Sequence, residues 1–263
     1  MRVLTWNIHS AVGRDGRLDL ERVARLLRAA RPDLAALTEV SRCWPGRGRV
    51  DQARRLAELA AFPHRLFAPA FRRGWVAFGN ALLSPHPLRP VAAVTLPPAR
   101  RSLALLGLEH RPEPRLLLCA RLEWRYGGRG RLLTVPVAVT HLGLSARERA
   151  AQVRAVAARL ERAGPLAVLA GDLNAPLEAP ELAPLRRRLT DTGAGDAAAP
   201  TYPSDRPAVR IDYVLAGLAW RVREAGVWRD PAGEVSLASD HLPWLAVLEP
   251  LPPGEGGAAR VQA

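Results

Sequence analysis

Short apolar stretches that each end in polar side chains commit this chain to an α/β sheet with its chemistry at the strand ends. The sharpest instance is Leu166-Ala-Val-Leu-Ala-Gly-Asp-Leu-Asn-Ala-Pro176. Leu166 to Ala170 read as a short buried strand. Gly171-Asp172-Leu173-Asn174 is a turn, and Pro176 stops any regular continuation. A carboxylate and a carboxamide at the end of a buried strand are costly to desolvate without partners. Taken alone, they fit an Asx turn that bonds only local backbone equally well. Other segments of the chain, however, end in the same way.

Residues 2 to 8 form an apolar strand that leads into Asn7, Ile8 and His9. Asp19 caps a helix whose apolar face is Leu20, Val23, Ala24, Leu27 and Ala30. A second strand, Leu34 to Leu37, delivers Thr38-Glu39. This strand–helix–strand unit builds a parallel or mixed sheet. A helix over 50–61 follows, then strands near 64–70, 76–83, 88–95, 102–109, 115–125 and 131–140. Gly127-Gly128-Arg129-Gly130 predicts a turn that makes the last two an antiparallel hairpin.

Ser145-Ala-Arg-Glu148 is a capping box for a helix carrying Val153, Val156, Ala157 and Leu160 on one face. A helix is expected over 179–189 and a surface loop over 192–208. Asp212 is expected in the middle of a strand at 209–215, followed by a hairpin near 219–228. Ser239-Asp240-His241 precedes a last strand, Trp244 to Leu248. No internal linker or repeat interrupts the chain. One domain is expected over residues 1–250, with a flexible C-terminal tail at 251–263.

Composition narrows the classes. The net charge is +13, and all 38 basic residues are arginine. They are scattered, which is compatible with an anionic substrate without requiring one. No run of apolar residues is long enough for a transmembrane helix. The N-terminus lacks the regions of a signal peptide, and Cys43 and Cys119 form no zinc pattern. A cytoplasmic monomer with reduced cysteines is expected.

Asn7, Glu39, His141, Asp172, Asn174, Asp212, Asp240 and His241 all lie in or beside apolar strand-like stretches. Each alone has a bland reading. Asp212, for example, could pair with Arg210 on the surface. Together they are coherent, because ligands in α/β sheets gather beyond strand ends. Carboxylates and carboxamides are hard oxygen donors suited to Mg²⁺ or Mn²⁺ rather than zinc. Two histidines with a spare carboxylate supply acid–base and orienting groups. That combination suits attack of water on phosphorus.

The chain resembles the endonuclease/exonuclease/phosphatase superfamily typified by DNase I. The resemblance rests on Thr5-Trp6-Asn7-Ile8-His9, Leu37-Thr38-Glu39-Val40, Gly79-Asn80-Ala81-Leu82-Leu83-Ser84, Thr140-His141-Leu142, Gly171-Asp172-Leu173-Asn174, Arg210-Ile211-Asp212-Tyr213 and Ser239-Asp240-His241-Leu242-Pro243, in the family's order. It implies a four-layer α/β sandwich of two mixed sheets packed face to face, with helices outside. It implies Glu39 as the main metal carboxylate, with Asn7 and Asp240 completing or supporting the site. Asp172 would help activate water, and Asn174 would orient water or phosphate. His241 would contact the scissile phosphate, held by Asp212. His141 would lie on the other side, as acid or as transition-state donor. Asn80 would steady the phosphate or His141.

Glu39-Val40-Ser41 differs from the Glu-Thr-Lys of many abasic-site nucleases. His9 and Gly13-Arg14-Asp15-Gly16 are similar instead to the branch of sphingomyelinases and uncharacterised bacterial hydrolases. The resemblance thus implies a Mg²⁺- or Mn²⁺-dependent phosphodiesterase acting on nucleic acid or a phospholipid headgroup. A phosphomonoesterase and a non-enzymatic nucleic-acid-binding scaffold stand as alternatives on the same scaffold.

Overall fold

The computed structural model describes residues 1–98, 113–126, 130–194 and 199–252. The predicted strand at 102–109, residues 127–129 of the predicted turn and residues 253–263 of the predicted tail lie outside the described residues.

The first sheet is built from β1 (Arg2–Asn7), β2 (Leu34–Arg42), β3 (His64–Arg73) and β4 (Val76–Ser84), joined later by β11 and β12. The second begins with β5 (Leu88–Thr95), β6 (Leu116–Tyr126), β7 (Arg131–His141) and β8 (Val168–Asp172). It ends with β9 (Thr190–Asp191) and β10 (Asp212–Ala216). The chain then returns to the first sheet through β11 (Trp220–Val227) and β12 (Trp244–Pro250). The strand orders are β11-β12-β1-β2-β4-β3 and β5-β6-β7-β8-β10-β9.

The helices are α1 (Leu20–Ala30), α2 (Gln52–Leu59), α3 (Ala146–Leu160) and two single turns, α4 (Ala183–Arg186) and α5 (Val235–Ala238). Asp19, Asp51 and Ser145 cap the three long helices by accepting from the backbone N–H three residues on.

Both central sheets are buried on both faces, which accounts for their nearly continuous apolar strands. Along β6, Leu116, Leu118, Ala120, Leu122 and Trp124 face the other sheet, where they meet Val3, Ala36, Leu82 and Trp244. The alternate residues Leu117 and Cys119 face outward, against α3 residues Val153, Val156 and Leu160. On the opposite side α1 and α2 cover the first sheet through Val23, Leu27 and Leu56. The result is the expected four-layer sandwich of two mixed sheets. Cys43 and Cys119 are both free.

Three local expectations shift. The helix expected over 179–189 is only a 3-10 turn, Pro180–Leu182, followed by α4. Pro180 and Pro184 each remove a backbone donor, so no longer ladder can form. Asp212 is the first residue of β10 rather than its middle, so its side chain stands at the sheet edge. The strand expected to stop at Leu37 runs on to Arg42 through a register shift between Leu37 and Val40.

Each sheet contains one parallel strand–helix–strand unit, and both deliver their strand ends to the same edge. In the first, β1 pairs with β2 so that Asn7 lies beside Thr38. In the second, β7 pairs with β8 so that His141 lies beside Asp172. Antiparallel β10 puts Asp212 opposite Asp172. The close approach at β8 requires Gly171. Its φ is +144°, and a Cβ there would stand 1.9 Å from the Thr140 carbonyl oxygen.

Candidate active site

Glu39 reaches the sheet edge because β2 bulges at that residue. Its φ of +55° is unusual for a side chain of this kind and turns the carboxylate toward Asn7. Asn7 Nδ2 donates to Glu39 Oε1 at 3.0 Å and to Asp172 Oδ2 at 3.1 Å. One carboxamide thus ties the two sheets together. Its own Oδ1 accepts from the His9 N–H at 3.0 Å, which fixes the amide's orientation.

The Ser239-Asp240-His241 segment is pinned onto β1. Ser239 Oγ donates to the Asn7 carbonyl at 2.7 Å, and Trp6 Nε1 donates to the His241 carbonyl at 2.9 Å. This leaves Asp240 half-buried at the rim, with His9 Nδ1 3.9 Å from its Oδ1.

His241 Nδ1 bonds Asp212 Oδ2 at 2.9 Å. Its Nε2 lies 3.8 Å from Asp172 Oδ2, and the Tyr202 ring packs at 4.7 Å from the imidazole. Asp212 does not pair with Arg210. That arginine binds Asp191 at 2.7 Å and stacks over the Trp244 ring at 3.7 Å. Burial alone would lower the pKa of His241. The Asp212 carboxylate, by charge and hydrogen bond, outweighs it with help from Asp172 and Asp240, and the pKa is pushed up to about 10. His241 is therefore an imidazolium at neutral pH.

His141 sits on the other side of Asp172. Its Nε2 is 3.4 Å from Asp172 Oδ2 and 2.9 Å from Asn174 Nδ2. Its Nδ1 accepts from Arg115 Nη1 at 2.9 Å. Burial, then the Arg115 and His241 charges, hold its pKa well below the ordinary value. Asp172 lies between the two rings. Burial and then the Asp212 charge push its pKa up to about 7, against His241, the Asn7 amide and the Asn174 N–H. Asn174 adopts φ +52°, a region asparagine tolerates, and its N–H closes an Asx turn onto Asp172 Oδ1 at 2.9 Å. The local turn and the shared site are therefore both real.

Asn7, Glu39, His141, Asp172, Asn174, Asp212 and His241 form one connected network, with Asp240 joined through Ser239. Asn80 is buried and stands apart. Its Nδ2 donates to the Leu116 carbonyl at 3.2 Å, the same oxygen that Thr140 Oγ1 bonds. Arg115, Thr201 and Tyr202 are additions that no local pattern singles out. Thr201 Oγ1 accepts from the backbone N–H of Asp212 at 3.3 Å, and so fixes the carboxylate that holds His241.

The donor set fits a hard divalent cation. The Glu39 and Asp240 carboxylates stand partly exposed at the rim as hard oxygen donors, while buried Asn7 turns its Nδ2 to Glu39 and its Oδ1 to the His9 N–H. Asp172, Asp212 and His241 also bring ligand atoms within 4.8 Å of one another. That closeness combines the cross-strand pairing of Asp212 with Asp172 and the His241–Asp212 hydrogen bond.

A model of the Endonuclease/Exonuclease/phosphatase family matches residues 4–241. The chain belongs to this family. Its members are phosphoester hydrolases that typically use a divalent metal. An endonuclease/exonuclease/phosphatase from Beutenbergia cavernae DSM 12333 is 31% identical, with a TM-score of 0.75 over 95% of this chain and 72% of that one. More distant structures share the fold. A mannosyl-6-phosphatase from Bacteroides thetaiotaomicron VPI-5482 has 15% identity and a TM-score of 0.69, over 95% of this chain and 99% of that one. The human nocturnin catalytic domain with bound sulfate has 17% identity and a TM-score of 0.61, over 95% and 94%. No curated protein matches the chain. Among the described residues no helix is long and apolar enough to cross a membrane.

Proposed function

We propose that the protein is a Mg²⁺- or Mn²⁺-dependent phosphodiesterase. The observation that carries this reading is Asp172, a buried carboxylate flanked by two imidazoles, 3.4 Å on one side and 3.8 Å on the other. Such a pocket places a proton acceptor next to two groups that can face a phosphoryl centre. Glu39, Asn7 and Asp240 would hold the cation, which when bound supplies Lewis-acid polarisation of the phosphoryl oxygen and lowers the charge cost of the transition state.

The chain's own residues supply the rest. Asp172 orients the attacking water and receives its proton as the new P–O bond forms and the bond to the leaving oxygen breaks. Asn7 holds Asp172 and Glu39 at a fixed separation. The His241 imidazolium, kept charged by Asp212, faces the negative charge that builds on phosphorus-bound oxygen. Asn174, whose Nδ2 bonds the Leu142 carbonyl and His141, would orient water or phosphate beside that ring.

The charge balance favours a diester over a monoester. A dianionic monoester calls for several cationic donors. Here His241 is a charged donor, while the Arg115 guanidinium is directed at His141. The surface adds a reason to test nucleic acid first. Trp75 is exposed at the β3–β4 turn beside Arg72 and Arg73, a pairing suited to stacking on a base between two phosphates.

The test is a substrate panel in Mg²⁺ and in EDTA: single- and double-stranded oligonucleotides, phosphatidylcholine or sphingomyelin vesicles, and a sugar monophosphate. Metal-dependent cleavage of a diester substrate, lost in Glu39→Ala, is expected. Release of phosphate from the monoester alone would overturn the reading in favour of a phosphomonoesterase. Binding of oligonucleotide with no cleavage of any substrate would overturn it in favour of a binding scaffold.

A further inference from the structure

We infer that the β3–β4 hairpin and the loop after β2 form a ledge for single-stranded nucleic acid. Trp75 stacks on a base there, and flanking arginines hold phosphates of the strand that runs on to the catalytic edge. This inference deepens the proposed function and rests on it for the phosphate placed at that edge.

Strand register places the ledge. β1 ends at the catalytic edge with Asn7, but β2 runs past Glu39, with Val40 opposite Gly79 and Arg42 opposite Ala77. β3 and β4 continue in the same direction to the pair Arg73 and Val76. At about 3.3 Å per residue, Trp75 stands roughly 13 Å beyond Gly79, past the edge that carries Asn7 and Glu39. Trp44, in the loop after β2, packs edge-on against Phe71 at 5.8 Å and Phe78 at 6.0 Å, which fastens that loop to the hairpin. From the same loop Arg47 Nη1 donates to the His9 carbonyl at 3.0 Å, and His9 lies beside Asp240. Ledge and site rim are therefore one connected surface.

The chemistry of the ledge selects its occupant. Residues 40–51 and 69–79 carry Arg42, Arg47, Arg49, Arg72 and Arg73 against a single carboxylate, Asp51. Asp51 is itself engaged, as the cap of α2 and at 3.6 Å from Arg42. The balance draws a polyanion. Trp75 is 82% exposed, an indole face left to solvent between the arginines of the hairpin and the open end of the site. Stacking on an indole accepts any base but needs that base unpaired, which a single strand offers and a duplex does not. A lipid surface suits the ledge less. Interfacial binding scales with buried apolar area, and Phe71 and Phe78 are half-buried against Trp44, which leaves one exposed indole among charges.

The test is binding by the full-length protein in EDTA, so that no strand is cut. Fluorescence anisotropy compares labelled oligothymidylates and oligouridylates of increasing length with a duplex of matched length, and cosedimentation measures binding to phosphatidylcholine and phosphatidylglycerol vesicles. Affinity should rise with strand length until the strand spans the site and Trp75, and a single strand should bind more tightly than the duplex. Trp75→Ala should weaken binding of the longer strands about 10- to 100-fold, and Trp75→Phe, which keeps a stacking face, should recover most of that loss. Arg73→Gln should reduce the slope of log Kd against log salt by about 0.7. Wild-type affinity in Trp75→Ala, no binding of single strands by the wild type, or a duplex bound as tightly and with the same dependence on Trp75 would each overturn the inference. So would vesicle binding that falls in Trp75→Ala while oligonucleotide binding does not, which would give the ledge to a lipid surface. Absence of diester hydrolysis by the wild type in Mg²⁺ would count against the proposed function, while anisotropy in EDTA still decides the ledge.

Discussion

His141 and His241 flank the same carboxylate and are held by opposite partners. His241 has a carboxylate behind it, Asp212 at 2.9 Å, and is cationic. His141 has a guanidinium behind it, Arg115 at 2.9 Å, and is neutral. Both rings are buried to the same degree. Burial alone therefore does not set a histidine's charge; the group behind the ring does. The site gains one charged and one neutral imidazole from two identical side chains.

Removing the charged half should have the largest effect. His241→Ala is expected to lower kcat by about a thousandfold or more, with the fold retained by circular dichroism. Near-normal turnover would remove His241 from the reaction. Asp212→Asn keeps the shape and removes the charge that sustains the imidazolium. A loss of about a hundredfold is expected, and the His241 ring should titrate at a lower pH in the same variant. If its titration does not move, Asp212 is not what keeps the ring charged.

The comparison also predicts opposite signs in stability against pH, read as melting temperature in the metal-free protein. For His241 the folded pKa is raised, so its contribution is fully present below the ordinary histidine pKa, about 6.5. It is lost as pH rises toward about 10. For His141 the folded pKa is lowered, so stability falls as pH drops below about 6.5, where the unfolded chain binds a proton that the folded ring refuses. Wild type should therefore exceed His241→Gln in melting temperature most at the acid end. It should lose ground to His141→Gln at that same end. Parallel curves for the two variants would contradict the assigned charges.

The smallest effect is expected at the support. Thr201→Val removes the hydroxyl that accepts the Asp212 N–H, and should cost about 1 kcal/mol in a denaturant titration. An unchanged midpoint would show that this hydroxyl does not secure the Asp212 end of β10.

The two halves also differ in how legible they were. Asp172 and Asn174 share one turn, and Asp240 and His241 one segment, so short motifs display them. Glu39 was found as a residue, but its bulge was not, because a single extra residue in one strand leaves no compositional trace. Arg115 was missed for a different reason. It is one of 38 arginines, and it meets His141 only across a β6–β7 hairpin, 26 residues on. Tyr202 and Thr201 lie in a stretch read as surface loop, and their partners are set by tertiary folding. The α/β class and strand order along the chain followed from apolar periodicity, whereas Pro180 and Pro184 cut the helix expected over 179–189 to single turns.

The most direct test of the account is hydrolysis of bis-(p-nitrophenyl) phosphate by the wild-type protein in Mg²⁺, in Mn²⁺ and in EDTA, beside the matching monoester and with Glu39→Ala as control. The account predicts metal-dependent release of p-nitrophenol from the diester, lost in EDTA and in Glu39→Ala, and exceeding release from the monoester. Turnover that survives EDTA, or that is confined to the monoester, would contradict it.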